Sequence, residues 1–153
     1  LQMTNVLRDL AQDLRIGRCY LPRQDLAAVG LLPRDLLRPT AMTRLRPLLD
    51  DLLTGALADY REAWAYTRAI PRSEIRLRLA CAWPMLIGLR TLALIRRADD
   101  LLDPDVTVKI SRGAVYRILV RSGISAWSNA ALGGHYRGLR RPLDDLASRG
   151  AHG

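Results

Sequence analysis

Three oxygen-bearing side chains recur at four-residue intervals near the start of the chain: Asn5, Asp9 and Asp13. In an α-helix this spacing places them in one stripe. Two carboxylates four residues apart destabilise a helix by about 0.2–0.5 kcal/mol unless a cation lies between them. Carboxylate and amide oxygens suit magnesium, which binds through one or two carboxylates together with substrate phosphates. Arg8, beside the stripe, can bind phosphate oxygens directly. The pattern therefore suggests part of a site for magnesium and a phosphate group.

The surrounding residues predict a single helix over 1–15, with polar and apolar side chains on separate faces. The stripe also carries Gln2 and Gln12, while the opposite face is apolar. A solvated polar face is the alternative interpretation. Such faces usually mix charges of both signs, because opposite charges at four-residue spacing stabilise a helix. Gly17 and Pro22 then interrupt the helical pattern.

The rest of the chain also shows helical periodicity. Helices are predicted at residues 23–30, 47–69, 73–97, 111–123 and 124–147, with a connector at 99–111. Pro47 suits a first helical position, Ser73 and Ser111 suit N-caps, and Pro84 is expected to kink its helix. With no strand pattern, the fold class is all-α, as one domain over 1–147 followed by a frayed tail at 148–153.

Composition narrows the possible functions. The formal charge is +9, from 24 basic and 15 acidic residues, which suits an anionic partner such as nucleic acid, a membrane surface or a phosphorylated substrate. The basic residues are scattered rather than clustered, so nucleic-acid binding is not favoured. The apolar run at 79–95 is short for a membrane span and is expected to be a buried core helix. No signal peptide is evident, so we expect a cytoplasmic protein.

Several segments together resemble the squalene/phytoene synthase family. "QMTNVLRDLAQD" (2–13) is similar to the second aspartate-rich motif of that family, and "GRCYLP" (17–22) to the exit from its helix. "YTRAIP" (66–71), "CAWPMLIGLRTLALI" (81–95) and "VKISR" (108–112) resemble later segments of squalene synthases. The resemblance covers residues 1 to about 121, and the order and spacing of its segments make it specific.

The resemblance implies the C-terminal part of the isoprenoid-synthase helical fold. It implies a prenyltransferase that condenses two isoprenoid diphosphates head to head with magnesium, converting farnesyl diphosphate to presqualene diphosphate and then, with NADPH, to squalene. Phytoene synthesis from geranylgeranyl diphosphate is an alternative within the family. A helical binding module without catalytic activity is an alternative outside it, and the oligomeric state stays open. Because the implied substrates and product are lipids, the resemblance also implies peripheral contact at the inner membrane surface.

Roles in the first motif follow from the resemblance. It implies that Asp9 and Asp13 are catalytic carboxylates that bind metal, and that Asn5 shares the metal or substrate shell. It also implies that Arg8 contacts diphosphate oxygens and that Gln2 lines the substrate cavity.

The later segments imply further roles. Tyr66 is similar to a tyrosine in the family's substrate cavity, which implies a catalytic role. The alternative interpretation is a tyrosine buried in the core. Lys109 and Arg112 resemble residues near the NADPH cofactor of squalene synthases, with a surface charge pair as the alternative. The chain departs from the family in having Gln12 where Glu is usual and in lacking a first aspartate-rich motif. We therefore expect no turnover from this chain alone.

Overall fold

A computed structural model describes residues 1–38 and 40–144. Within these residues the chain is helical with no strand, which confirms the all-α class. Seven α-helices are formed: α1 (Gln2–Arg8), α2 (Leu10–Arg15), α3 (Arg23–Ala28), α4 (Ala41–Ala69), α5 (Ile75–Arg97), α6 (Arg112–Ser125) and α7 (Asn129–Arg140). Short 3-10 helices occupy Pro33–Leu37 and Arg141–Leu143. The predicted tail at 148–153 and the end of the predicted helix 124–147 lie outside the described residues.

Helix α5 is the centre of the domain. It packs against α1, α4, α6 and α7, and its fully buried side chains include Leu86, Leu89 and Leu92. By length and composition alone α5 is apolar enough to cross a membrane, but 56% of its most apolar window is buried within the protein. This placement agrees with the core helix expected from the sequence.

Both long helices accept a proline in their interior. Helix α4 begins at Ala41, six residues earlier than predicted, so Pro47 lies inside it and the predicted start was wrong. Proline has no N–H, which leaves the carbonyl four residues earlier without its helical donor. For Pro47 that carbonyl belongs to Thr43, and for Pro84 to Ala80. All four residues are exposed, so water can replace the missing donors.

Serine caps fix two of the helix starts. The Ser111 Oγ accepts a hydrogen bond of 3.2 Å from the backbone N–H three residues later, as predicted. Ser128 caps α7 in the same way, so α7 begins at Asn129 rather than at the predicted residue 124. Ser73 was predicted to cap α5, but this was wrong: Glu74 is the N-cap residue and makes no capping bond through its side chain.

A buried contact fixes α1 against the two long helices. The Thr4 and Tyr60 hydroxyls are 3.0 Å apart and hydrogen-bonded, which joins α1 to α4. Burial raises the pKa of Tyr60, partly offset by its bond to Thr4, so the phenol is neutral at pH 7. Gly88 of α5 leaves room for this ring, because a Cβ at position 88 would overlap the Tyr60 hydroxyl.

We expect Gly88→Ala and Gly55→Ala to change stability in opposite directions. Overpacking against Tyr60 should lower the free energy of unfolding of Gly88→Ala by about 1–3 kcal/mol. Nothing lies within 4 Å of a Cβ at Gly55, so Gly55→Ala should gain about 0.5–1 kcal/mol from helix propensity. Urea unfolding followed by circular dichroism measures both. Equal changes in the two variants would contradict the packing described for Tyr60.

Acid should destabilise the fold through His135. This side chain is 5% exposed and its Nδ1 has no hydrogen-bond partner among the described residues. Burial, with a smaller contribution from Arg121, lowers its pKa. The unfolded histidine binds a proton near pH 6.5, so the contribution of neutral His135 to stability is present above that pH and is lost as the pH falls. Unfolding measured at pH 7 and pH 5 should show this loss, and His135→Gln should reduce it. A loss of equal size in His135→Gln would exclude this group as the cause.

Candidate active site

The acid stripe, formed by Asn5, Asp9 and Asp13, lies on two helical segments rather than one. Asp9 separates α1 from α2, with φ −97° and ψ 8°, so the predicted unbroken helix over 1–15 was wrong at this residue. The backbone N–H of Asp9 still donates to the Asn5 carbonyl, and that of Asp13 to the Asp9 carbonyl, both at 2.9 Å. The four-residue register is therefore kept through the interruption, and the stripe keeps its spacing.

Arg8 and Asp9 form a two-pronged ion pair. The Arg8 Nε donates to Asp9 Oδ1 at 2.8 Å, and the Arg8 Nη2 donates to Asp9 Oδ2 at 2.7 Å. The hydrogen bonds from the guanidinium lower the pKa of the Asp9 carboxyl, and the same pairing raises the pKa of Arg8. Asp9 is thus ionised at neutral pH. Both side chains are 40% exposed, so the pair is accessible to a ligand.

This ion pair lines an open cavity of about 430 Å³ between α1, α5 and the connector that precedes α6. The connector brings Lys109 to the same cavity, about one hundred residues further along the chain. The remaining lining residues are two threonines and three aliphatic residues: Thr91, Thr107, Ile87, Val108 and Ile110. The cavity therefore combines a carboxylate, two cations and an apolar surface.

The other predicted site residues do not line this cavity. Gln2 and Asn5 are exposed on α1, and Asp13 is partly buried on α2. Tyr66 is 66% exposed on α4, so the core tyrosine considered as an alternative is wrong. Arg112 is the exposed first residue of α6. The roles implied for these five residues stay predictions.

Two residues of the cavity could not be identified from the sequence. Ile87 and Thr91 are four residues apart on α5, where nearly every position is apolar and periodicity does not show which face meets α1. The Thr91 hydroxyl donates to the Ile87 carbonyl at 3.1 Å, so its oxygen stays available as an acceptor. Thr107 was missed although it is close in sequence to Lys109.

The donors present fit a magnesium ion only with help from a substrate. Within residues 1–38 and 40–144, no three His, Cys, Asp or Glu side chains are grouped to hold a metal. The stripe offers two carboxylates, Asp9 and Asp13, and the amide of Asn5. Magnesium is commonly bound by one or two carboxylates, waters and substrate phosphates, so these oxygen ligands are of the type that magnesium takes when a diphosphate supplies the others.

Comparison with known proteins identifies the family. Residues 1–114 match the squalene/phytoene synthase family. The chain belongs to this family. The match includes the acid stripe, the connector and the whole of the cavity, so the site described above lies within the region that this chain shares with the squalene/phytoene synthase family.

Individual relatives of this squalene/phytoene synthase chain fall into two groups. Presqualene diphosphate synthase of Zymomonas mobilis is 31% identical over 128 residues, covering 82% of this chain and 42% of the relative. The enzyme of the same name from Rhodopseudomonas palustris is 29% identical over 126 residues, covering 81% and 43%. The chloroplastic phytoene synthase of an Oncidium hybrid is 33% identical over 88 residues, covering 58% and 20%. The chain therefore spans less than half the length of these relatives. No solved structure matches it.

Proposed function

We propose that the protein containing this chain condenses two molecules of farnesyl diphosphate head to head to give presqualene diphosphate. The observation that carries the proposal is the convergence of Arg8, Asp9 and Lys109 on one cavity with an aliphatic lining. A prenyl diphosphate has a charged head and an apolar tail, and this cavity offers partners for both.

Each side chain has a task in this proposal. Arg8 and Lys109 donate to diphosphate oxygens, which stabilises the charge that develops as the diphosphate leaves. Asp9 and Asp13, with the amide oxygen of Asn5, would hold magnesium, which would neutralise the diphosphate and make it a better leaving group. Because Arg8 occupies both oxygens of Asp9, we propose that Arg8 turns from the carboxylate to the diphosphate when the substrate binds.

The aliphatic lining has a separate task. The allylic cation formed when the diphosphate leaves reacts readily with water, so a productive site must exclude water around it. Ile87, Val108 and Ile110 lie beside the charged groups, where they can contact the first isoprene unit of the substrate.

The share of this chain that aligns with each relative favours farnesyl diphosphate over geranylgeranyl diphosphate as the substrate. The two presqualene diphosphate synthases align with more than four-fifths of this chain, whereas the Oncidium phytoene synthase aligns with 58%. Phytoene synthesis from geranylgeranyl diphosphate is the second candidate, supported by the 33% identity of that shorter alignment. Reduction of presqualene diphosphate to squalene with NADPH would be a further step.

Product analysis tests the proposal. The complete gene product is incubated with magnesium and either farnesyl or geranylgeranyl diphosphate, with and without NADPH. We expect presqualene diphosphate from farnesyl diphosphate, loss of turnover with EDTA, and no turnover by the 153-residue chain alone. Consumption of geranylgeranyl diphosphate only would assign phytoene synthesis. Magnesium-dependent diphosphate binding without any product would support a binding module instead.

We also propose a cytoplasmic location with peripheral contact at the inner membrane surface, because a substrate with a long apolar tail partitions into lipid. Fractionation of cells should place the protein in the soluble fraction and in a membrane fraction that high salt releases. Salt lowers the attraction between a basic protein and anionic lipids, whereas a protein that resists salt extraction would be held in another way.

A further inference from the structure

Helix α6 has an outer face that is apolar and that no other element within residues 1–38 and 40–144 covers. Tyr116, Val120 and Ile124 are spaced four residues apart along it and are between 62% and 77% exposed. Trp127, just after the helix, is 68% exposed. Large apolar side chains scattered singly on a surface are ordinary, but four in a continuous row indicate a contact surface.

The orientation of this face is fixed by the opposite side of α6. Ile118 and Ser122 are buried there, and the Trp83 indole N–H of α5 donates to the Ser122 hydroxyl at 3.0 Å. The helix therefore cannot turn its apolar row inward without breaking this packing.

Charge identifies the kind of partner. Arg112, Arg117 and Arg121 are exposed on α6, and no acidic residue occurs anywhere in the helix. On a helical wheel at 100° per residue, Arg112 flanks the apolar row on one side, and Arg117 and Arg121 flank it on the other. An apolar row bordered by arginines, with tyrosine and tryptophan at the ends, is the composition of a helix that lies in the headgroup region of an anionic bilayer.

We propose that the outer face of α6, with Trp127, docks on the surface of an anionic phospholipid bilayer. This inference rests on the proposed function, which gives the protein a reason to bind a membrane. It assigns the proposed peripheral contact to the outer face of α6. Lys109 lines the candidate site only three residues before α6 begins at Arg112. A bilayer on α6 would therefore lie close to the cavity in which prenyl chains are proposed to bind.

Vesicle sedimentation of the complete gene product tests this surface. We expect binding to vesicles of phosphatidylcholine with 30% phosphatidylglycerol, and much weaker binding to phosphatidylcholine alone. Arg117→Gln with Arg121→Gln should weaken binding about 25-fold at low salt, at roughly fivefold for each arginine. A blue shift of tryptophan emission on binding should disappear in Trp127→Phe.

Ile124→Glu and Leu37→Glu form a matched pair, because Leu37 is also 65% exposed but lies on the 3-10 helix Pro33–Leu37. We expect Ile124→Glu to reduce vesicle binding at least tenfold and Leu37→Glu to leave it unchanged. Equal binding of both variants would overturn the proposal. A clear loss of thermal stability or a change of oligomeric mass in Ile124→Glu would also overturn it, since the face would then be covered by protein.

Activity on detergent-dispersed substrate separates the two proposals. Ile124→Glu should keep its rate of prenyl transfer there while losing vesicle binding. A protein that binds vesicles through α6 but forms no prenyl product would overturn the proposed function and leave the docking surface standing. A protein that forms prenyl product but does not bind anionic vesicles would overturn the docking surface and leave the proposed function standing.

Discussion

Asp9→Asn should lower the rate of prenyl transfer by the complete gene product by about 100- to 1,000-fold, the range found when one charge-stabilising group is removed from an active site. The substitution keeps the shape of the side chain and replaces a carboxylate with a neutral amide. It removes a proposed metal ligand and also leaves Arg8 without its charged partner at 2.7 Å. The Asp9 side chain makes no capping hydrogen bond to α2, so the start of α2 should be preserved.

The magnesium dependence makes this prediction specific. If Asp9 holds the ion, the magnesium concentration for half-maximal rate should rise in Asp9→Asn, and isothermal calorimetry should show weaker diphosphate binding with magnesium. Asp59→Asn is the control, because Asp59 is exposed on α4 away from the cavity, and its rate should stay within about twofold of the parent. A full rate in Asp9→Asn would remove this carboxylate from the mechanism.

The second large effect is expected at Arg78, which is fully buried in α5. Its Nη1 donates to the Ile70 carbonyl at 2.7 Å, and its Nη2 donates to the side-chain oxygen of Asn129. Ile70 is the C-cap residue of α4, and Asn129 is the first residue of α7. One guanidinium therefore holds the end of α4 and the start of α7 against α5.

Arg78→Ala should lower the free energy of unfolding by about 2–4 kcal/mol, because it leaves a cavity and removes the donors of one buried and one part-buried acceptor. Such a loss is a large part of the roughly 5–15 kcal/mol that stabilises a domain. Arg76→Ala is the matched control: Arg76 is exposed on the same helix, and its removal should cost less than about 0.5 kcal/mol. Urea unfolding of both variants measures the difference, and similar midpoints would show that Arg78 contributes no more than a surface residue.

The helices were predictable where apolar periodicity was strong, but the starts of α4, α5 and α7 were not. Pro47 marks a helix start in isolation, and only the solvent exposure of Thr43 shows why the helix can extend back to Ala41. Ser73 is a good capping residue by type, yet α5 begins one residue too late for it to act. Both outcomes depend on tertiary surroundings that local sequence does not contain.

The stripe of the site was predictable, but the assembly of the cavity was not. Asn5, Asp9 and Asp13 follow from helical spacing, whereas the position of Lys109 depends on a connector with no periodicity. The start of that connector is held by Arg46 of α4, which donates to the Ala98 and Asp99 carbonyls, both at 2.8 Å. The family resemblance indicated Lys109 as a functional residue without showing that it lines the same cavity as Arg8.

The contact between Thr4, Tyr60 and Gly88 has a consequence for variation among related sequences. The three residues come from α1, α4 and α5, and the glycine has space only for the ring that fills it. Substitutions at these positions should therefore be correlated. A larger residue at position 88 should accompany a smaller one at position 60. Sequences without a phenol at position 60 should no longer require a hydroxyl at position 4. An alignment in which these three columns vary independently would show that other contacts fix the helix bearing the acid stripe.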